Sequence, residues 1–361
     1  MRDIELDNII ELMRIVKDQE REQEQDIQKS HKDMKFRPFD TFADGDSIRP
    51  IISVDGSYSF LFSFLGADTW IVLFRIAVTD YKLIQNGPKT QYIINRPLQV
   101  YDTVHVLSFN KNILLEQPPV FRLAKRDAEK FKTRKQIIFA ANIMTYLEHK
   151  TLERISNSYS DCILFADGSL VSVKRLKRQP VFNKINRNCV RNNILFAGVS
   201  KTTSTHFFND FYCDDHFLKK FHDKVHPTPT YIEIPKVRFD TKYQKRFARH
   251  GEIHFAKLNE HAEKWFRVDI GNDNGDKDAF FSQIAAYSKV HTIPGYPIGL
   301  IEAHKVAKTV RQSQIKNYYE NKLIGSLEKI GLTSQEILDG AVDIDGEHWR
   351  SFHETLDLAS L

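Results

Sequence analysis

Two copies of the tripeptide Asp-Gly-Ser stand in the sequence, and each follows a short apolar run of the kind that forms a β-strand. The first copy, Asp55-Gly56-Ser57, begins at the end of the run Ile51–Asp55, and the second, Asp167-Gly168-Ser169, begins at the end of the run Cys162–Asp167. An Asp-Gly pair is a common turn, in which glycine takes a positive φ and aspartate bonds its own backbone. Two copies at predicted strand ends also provide two carboxylates that a divalent cation could share. Asp55 and Asp167 are therefore candidate metal ligands.

A third candidate carboxylate lies on a helix predicted from about Ala128 to Asn157. Apolar residues recur there at three- and four-residue intervals, at Ile137, Ala141, Met144, Leu152 and Ile155. Glu148 falls inside this stripe and is expected to face the core, whereas Glu153 points almost the opposite way, into solvent. A core-facing carboxylate is costly unless it is compensated, and a cation shared with the two aspartates would compensate it. Glu148 is the preferred third acid, and Glu153 is the alternative.

The order of the elements around these acids is that of an RNase H-like core. A strand with the first aspartate is followed by further strands, a helix with the glutamate and a strand with the second aspartate. The further β-like runs are Ser59–Leu65, Trp70–Val78, Gln91–Ile94, Thr103–Phe109, Ile194–Ser200, Tyr231–Ile234, Ile253–Leu258 and Trp265–Ile270. Helices are expected at Ala279–Val290 and from Ile298 to about Lys322. We predict an α/β fold with an RNase H-like mixed sheet core flanked by helices and additional α+β insertions.

Composition excludes several classes of protein. The 361 residues, 41% of them hydrophobic, can build a large core without disulfides. The three cysteines lack Cys-x-x-Cys spacing, which argues against a zinc ribbon and fits a reducing, cytoplasmic compartment. The first residues mix charges where a signal peptide would be apolar, and the longest apolar runs are only strand-sized. We expect a cytoplasmic protein with no membrane partner.

The net charge of +5 is mild, but basic residues flank the candidate acids. One block precedes Glu148 and the other follows Asp167; they comprise Arg122, Lys125, Arg126, Lys130, Lys132, Arg134 and Lys135, then Lys174, Arg175, Lys177, Arg178, Lys184, Arg187 and Arg191. A basic run is often only a solvated face. Around a carboxylate site it would suit a polyanion whose phosphates approach a metal, so Lys174 and Arg175 are candidate DNA-binding residues. Lys201, which ends a predicted strand, could contact a phosphate or simply be solvated.

Five short motifs together resemble the NurA nuclease family, in that family's order, over about residues 50 to 310. They are Val54-Asp55-Gly56-Ser57, the Glu148 helix, Ala166-Asp167-Gly168-Ser169-Leu170, Gly198-Val199-Ser200-Lys201 and Gly295-Tyr296-Pro297-x-x-Leu300-x-x-Ala303-His304. Taken alone, a histidine among small apolar residues, as at His304, is more often a hydrogen-bonded core residue than a ligand.

The resemblance implies a DNA nuclease that depends on Mn²⁺ or Mg²⁺. It also implies a homodimer that encloses a DNA channel and works with a HerA-like hexameric ATPase in DNA end processing, as a single-strand endonuclease, a 5'-3' exonuclease or both. Carried over by motif, Asp55, Glu148 and Asp167 would be metal ligands, and His304 a ligand or proton-transfer group. Tyr296 and Lys201 would lie near the DNA backbone.

The predicted domain organisation has three parts. Residues 1–35 form an amphipathic helix and a polar arm; the apolar face of that helix could pack on the core or on a partner, and core packing is the preferred expectation. Residues 36–320 form the nuclease domain, with an insertion at about 206–290. Residues 321–361 form a helical tail, with a capping box at Thr333-Ser334-Gln335-Glu336.

Two other functions share these features. Actin-like and sugar-kinase ATPases place Asp-Gly turns after two strands of the same architecture and hold nucleotide phosphates with backbone N–H groups. Glu148 and the extended basic blocks favour the nuclease over such an ATPase. A non-catalytic DNA clamp for a motor ranks lowest, because every acid that the nuclease needs is present.

Overall fold

One large mixed β-sheet organises the computed structural model, which describes residues 8–19, 21, 34–41, 48–64, 68–86, 89–110, 119–130, 135–208, 212–223, 229–271, 276–290 and 292–329. The strands are β1 (Phe36–Pro38), β2 (Ile51–Phe64), β3 (Thr69–Asn86), β4 (Lys89–Ser108), β5 (Ile163–Asp167), β6 (Val171–Val173), β7 (Leu195–Ser200), β8 (Thr230–Ile234), β9 (Phe247–Arg249), β10 (Glu252–Lys257) and β11 (Phe266–Ile270). The helices are α1 (8–19), α2 (Pro119–Ala128), α3 (Lys135–Ser158), α4 (Gln179–Arg191), α5 (Asp214–His222), α6 (Lys236–Tyr243), α7 (Lys277–Ala286), α8 (Ile298–Lys308) and α9 (Ser313–Glu328).

The strand order confirms the predicted fold class. The order in the large sheet is β1-β8-β10-β11-β7-β5-β2-β3-β4. Strands β2, β3 and β4 are antiparallel neighbours, and β5 and β7 run parallel to β2. This half of the sheet is the RNase H-like core. The other half, β11, β10, β8 and β1, adds antiparallel strands to β7.

The two faces of the sheet are covered by different helices. Successive side chains of a strand point to opposite faces, so they pack against different helices. On one face Ile51, Ile163 and Phe165 pack with residues of α7 and α8. On the other face Ile52 and Leu164 pack with residues of α3 and α4. Asp55 therefore shares its face with Ile51, and Gly56 opens toward α3.

The first aspartate does not lie at a strand end, which corrects the prediction for it. The runs Ile51–Asp55 and Ser59–Leu65 belong to one strand, β2, with an irregularity between Phe60 and Phe62. Gly56 and Ser57 remain paired with Ile76 and Arg75 of β3. The Asp-Gly pair does not turn because the long partner strand keeps the backbone extended. The predicted runs around residues 91–109 likewise merge into the single strand β4.

Two predicted helices are also corrected. The helix with Glu148 begins at Lys135, and Ala128 ends a separate helix, α2, which has Pro119 at its first position. The predicted helix from Ile298 to Lys322 is divided into α8 and α9 by a 3₁₀ turn at Thr309–Arg311.

The expected core packing of the amino-terminal helix is wrong for the described residues. Helix α1 leaves Ile9, Leu12 and Met13 more than half exposed. The predicted capping box at 333–336 lies outside the described residues. Among the described helices, none has the length and apolar character that crossing a membrane requires.

Candidate active site

Two neighbouring parallel strands and one helix bring three candidate ligands together. Val54 of β2 pairs with Ala166 of β5. Asp55 and Asp167 are the next residues of these two parallel strands, so they lie side by side. Helix α8 covers that face of the sheet and presents His304. One ligand atom each from Asp55, Asp167 and His304 lies within 4.8 Å of the others. The local sequence sets the strands, but the pairing of β2 with β5 sets this distance.

Hydrogen bonds fix the orientation of both aspartates. His304 Nδ1 lies 2.7 Å from Asp55 Oδ2, and the Gly56 N–H donates to Asp55 Oδ1 at 2.7 Å. Lys201 Nζ donates to Asp167 Oδ2 at 2.8 Å and lies 3.9 Å from Asp55 Oδ2. The Tyr296 hydroxyl donates to Asp167 Oδ1 at 2.9 Å. Each carboxylate is therefore held by at least one charged or hydrogen-bonding neighbour.

Glu148 approaches the same site from α3, through the space left by Gly56. A Cβ atom at position 56 would lie 2.8 Å from Glu148 Oε1. Glu148 is buried and lines the same cavity as the two aspartates, although it is not one of the three residues whose ligand atoms cluster within 4.8 Å. The expected core-facing orientation of Glu148 is correct. Ile137, which belonged to the same predicted stripe, is instead exposed.

Burial and mutual repulsion raise the pKa values of these acids. Burial, followed by the Asp167 charge, raises the pKa of Asp55 to about 6, although Lys201 and His304 oppose the shift. Burial and the charges of Asp55 and Asp167 raise the pKa of Glu148 well above its usual range. Bringing three carboxylates together is unfavourable without a compensating positive charge, as expected for a site that binds a cation.

The donor set of this site fits a hard divalent cation. The cavity has a volume of about 470 Å³, and its lining includes Asp55, Glu148, Asp167 and Lys201. Carboxylate oxygens are preferred by Mg²⁺, and Mn²⁺ accepts both carboxylate and imidazole ligands. The close group of Asp55, Asp167 and His304 offers both kinds of ligand atom.

The profile of the NurA domain matches residues 50–309, which include all the residues of this site. The chain belongs to the NurA family, a family of nucleases. None of the curated proteins matches the chain significantly.

The solved structures that resemble this chain include two nucleases. The crystal structure of the NurA nuclease from Sulfolobus solfataricus aligns with 90% of this chain and 98% of its own, with 13% identity and a TM-score of 0.49. The catalytic domain of human endonuclease V aligns with 81% of this chain and 95% of its own, with 12% identity and a TM-score of 0.34.

In the structure of this NurA-family chain, some of the other candidate residues lie at the cavity and others lie away from it. Lys201 lines the cavity, and Tyr296 is buried with its hydroxyl on Asp167. Glu153 lies outside the cavity, but its side chain is only 17% exposed because Lys150 and Lys184 contact it, which corrects the expectation that it points into solvent. Lys174 is exposed on a 3₁₀ turn and does not line the cavity, and the Arg175 side chain is outside the described part of the structure.

Sequence reasoning missed the role of two buried charged residues in this NurA-family chain. Arg178 counted as one cation of a basic block, yet it is buried, and its guanidinium donates to the Asn142 carbonyl of α3. Burial lowers the pKa of Arg178 to about 10, against the opposing effect of the Glu148 charge. Asp269 accepts the Leu170 N–H at 2.8 Å, just after the second Asp-Gly-Ser. The only sequence signal for Asp269 was its place in a predicted strand, between Val268 and Ile270.

Proposed function

We propose that this chain is a metal-dependent deoxyribonuclease that hydrolyses phosphodiester bonds during DNA end processing. The observation that carries the proposal is the group formed by Asp55, Asp167 and His304, whose ligand atoms lie within 4.8 Å of one another. The Glu148 carboxylate and the Lys201 ammonium line the same cavity. Family membership supports nuclease chemistry there.

Asp55, Asp167 and His304 would hold Mn²⁺ or Mg²⁺, with Glu148 as the remaining acid of the site. A cation bound there would neutralise charge on the phosphate and lower the pKa of a bound water. Glu148 would accept a proton from the attacking water or orient it, because burial and the neighbouring aspartates raise its pKa.

The other side chains act by holding groups in place. The Tyr296 hydroxyl and Lys201 Nζ each bind a different oxygen of Asp167, which fixes the rotation of that carboxylate. Because Tyr296 is buried, we propose that it positions Asp167 rather than contacting DNA. Lys201 also lines the cavity, where its charge would attract a phosphate oxygen. His304 Nδ1 is engaged by Asp55, so Nε2 would be the nitrogen that binds the metal or transfers a proton.

The finer expectations are part of this proposal. The chain would act as a single-strand endonuclease, a 5'-3' exonuclease or both, with a HerA-like hexameric ATPase as its partner. It would form a homodimer in the cytoplasm. Its domains would divide into residues 1–35, 36–320 and 321–361. Exposed apolar side chains on β4, an edge strand of the described sheet, support self-association; Ile94 is 64% and Leu98 46% exposed. Lys174 and Arg175 remain proposed DNA contacts.

The test compares two glutamates of the same helix. The purified full-length chain is incubated with linear and single-stranded DNA in Mn²⁺, in Mg²⁺ and in EDTA. We expect cleavage only with a metal, and we expect Glu148→Gln to abolish it while Glu153→Gln retains it. Cleavage that persists in EDTA, or equal rates for the two variants, would contradict the proposal.

The ATPase alternative is tested on the same protein. Thermal unfolding is measured with and without ATP and Mg²⁺, because a ligand that binds only the native state raises the melting temperature. We expect no shift with ATP. A clear stabilisation by ATP, together with failure to cut DNA in any metal, would favour the ATPase.

A further inference from the structure

A second polar groove lies between α3 and α4, on the side of α3 that faces away from the candidate active site. It has a volume of about 690 Å³, and five cations line it: Lys150, Arg154, Lys184, Arg187 and Arg191. At about 100° per residue, Lys150 and Arg154 project from α3 on the side opposite to Glu148. The proposed mechanism uses none of these cations.

The charges in this groove are strongly unbalanced. Among the described residues that line the groove, Glu153 is the only carboxylate, and it contacts both Lys150 and Lys184. Partial burial would raise the pKa of Glu153, but the hydrogen bonds from these two lysines hold it below its usual range. Within the described residues, no carboxylate lies in ion-pair distance of Arg154, Arg187 or Arg191. Oppositely charged pairs three or four residues apart stabilise a helix, and among the described lining cations only Lys150 has such a partner, Glu153.

Neutral groups, rather than acids, hold two of the arginines. Arg191 donates to the Asn157 side-chain oxygen at 2.8 Å, and the Arg154 guanidinium lies 4.0 Å from the centre of the Tyr101 ring. These contacts orient the guanidinium groups but leave their charge uncompensated. Oriented guanidinium groups are suited to phosphate oxygens, which they can bind through paired N–H donors.

The spacing of the cations also fits a phosphate chain. Lys184, Arg187 and Arg191 lie along one side of α4, over roughly 10 Å of helix at 1.5 Å per residue. A nucleic-acid strand in a helical conformation carries one phosphate per roughly 3.4 Å, so this stretch could meet about three phosphates. The groove follows the line where two packed helices meet, whose axes are about 8 to 10 Å apart, and a groove of about that width fits a single phosphate backbone.

We propose that the groove between α3 and α4 binds the phosphate backbone of single-stranded DNA at a site separate from the candidate active site. The inference rests on the proposed function, since the bound strand is taken to be the substrate that the active site cuts. Helix α3 separates the two sites, with Glu148 on one side and Lys150 and Arg154 on the other. A strand long enough to pass around α3 would occupy both.

The test uses variants that change groove charge in opposite directions. Binding of fluorescein-labelled oligothymidylate is measured by fluorescence anisotropy in EDTA, so that cleavage does not interfere. We expect Arg187→Glu/Arg191→Glu to weaken binding at least about tenfold and to make the salt dependence less steep by about 1.4, for two lost phosphate contacts. Glu153→Gln should tighten binding, because it removes the only carboxylate of the groove.

A matched control carries the same charge change elsewhere. Lys322 and Lys329 are exposed on and just after α9, which packs against β2 on a different part of the sheet. Lys322→Glu/Lys329→Glu should bind oligothymidylate as the unchanged protein does. Thermal unfolding confirms that each variant is folded, and Glu153→Gln still tests the groove if the double arginine variant does not fold.

A separate readout distinguishes failure of this inference from failure of the proposed function. Mn²⁺-dependent cleavage of trithymidylate, which is too short to reach around α3, should proceed at equal rates in the groove variants and the unchanged protein. Absence of that cleavage in the unchanged protein would count against the proposed function. Unchanged oligothymidylate affinity in both Arg187→Glu/Arg191→Glu and Glu153→Gln would overturn the groove. Equally strong competition by polyglutamate would also overturn it, in favour of an acidic protein partner.

Discussion

The two Asp-Gly-Ser tripeptides are identical in sequence but differ in backbone and surroundings. The first lies inside β2, where Gly56 and Ser57 are paired with β3. The second begins at the last residue of β5, and Gly168 then takes a φ of +101°. Asp55 is held by His304, whereas Asp167 is held by Lys201 and Tyr296.

The glycines of the two copies meet different requirements. Gly56 is needed for space, because a Cβ atom there would meet both Glu148 Oε1 and Ile76 Cδ1 at 2.8 Å. Gly168 is needed for its backbone conformation, since a Cβ atom there would meet nothing within 4 Å. The same tripeptide therefore lets the Glu148 side chain approach the backbone in the first copy and forms a bend at the end of a strand in the second. The difference shows that one short motif can place a carboxylate in two ways.

The largest expected effect tests whether the two copies contribute equally. Asp55→Asn and Asp167→Asn should each lower metal-dependent DNA cleavage at least about a hundredfold, because each removes a proposed metal ligand. Cleavage rates of the purified variants measure this. Asp161→Asn is the matched control, since Asp161 is exposed just before β5, at the other end of the strand that leads to Asp167. A near-normal cleavage rate in either variant would show that the aspartates of the two copies do not contribute equally to cleavage.

A smaller effect is expected from Gly56→Ala. The added methyl group collides with the Glu148 carboxylate, and a displacement of a catalytic group by about 1 Å can cost up to about a hundredfold in rate. Cleavage should fall about ten- to a hundredfold. Glu148→Asp in the same protein should restore part of the activity, because its shorter side chain leaves room for the methyl group. If Gly56→Ala cleaves DNA at the normal rate, cleavage does not depend on the close contact between Glu148 and the backbone at position 56.

Gly168→Ala should affect stability more than chemistry. Its positive φ strains any L side chain, so the free energy of unfolding should decrease by about 1 to 3 kcal/mol. Urea unfolding measures this. The control is Gly325→Ala in α9, where there is also open space around the position, and the helical backbone should make that variant more stable by about 0.5 to 1 kcal/mol. Equal effects at the two positions would show that conformation is not what Gly168 supplies.

The smallest expected effect concerns the segment after the second copy. The His250 N–H donates to the Leu170 carbonyl, and its Nε2 lies 2.6 Å from Ser172 Oγ. Burial lowers the pKa of His250 to about 4. The unfolded chain therefore binds more protons than the native chain between pH 6.5 and 4, so stability should fall as the pH is lowered through this range.

The measurement is the melting temperature at several values between pH 7 and 4, for the unchanged protein and for His250→Gln. The variant should lose less stability on acidification, because one buried neutral imidazole is gone. His261→Gln is the control, since His261 is exposed, and it should leave the pH dependence unchanged. Parallel curves for His250→Gln and the unchanged protein would show that His250 is not the titrating group.

Much of the RNase H-like core could be predicted because its signals are local. The apolar run before Asp167 gave β5 almost to the residue, and Ile194–Ser200 gave β7. The periodicity of α3 gave the orientation of Glu148, which is buried, and of Glu153, which faces the opposite side. These features depend on the pattern of apolar and polar residues within one strand or helix, and packing against the neighbouring elements favours the same structure.

The errors arise where a partner element overrides a local signal. Gly56 looked like a turn, but pairing with a long neighbouring strand keeps β2 straight. Arg178 looked like a surface cation, but packing against α3 buries it. The apolar face of α1 looked like core, yet the described structure leaves Ile9, Leu12 and Met13 exposed.

Side-chain chemistry and helical or strand periodicity are enough to show which residues carry charge, which runs alternate as strands and which glutamate of α3 faces the core. The folded chain was needed to show that Asp55, Asp167 and His304 come within 4.8 Å of one another and that Gly56 leaves space for Glu148 beside the aspartates. Those distances join residues far apart in the chain, and they are set by strand pairing and helix packing rather than by any local preference.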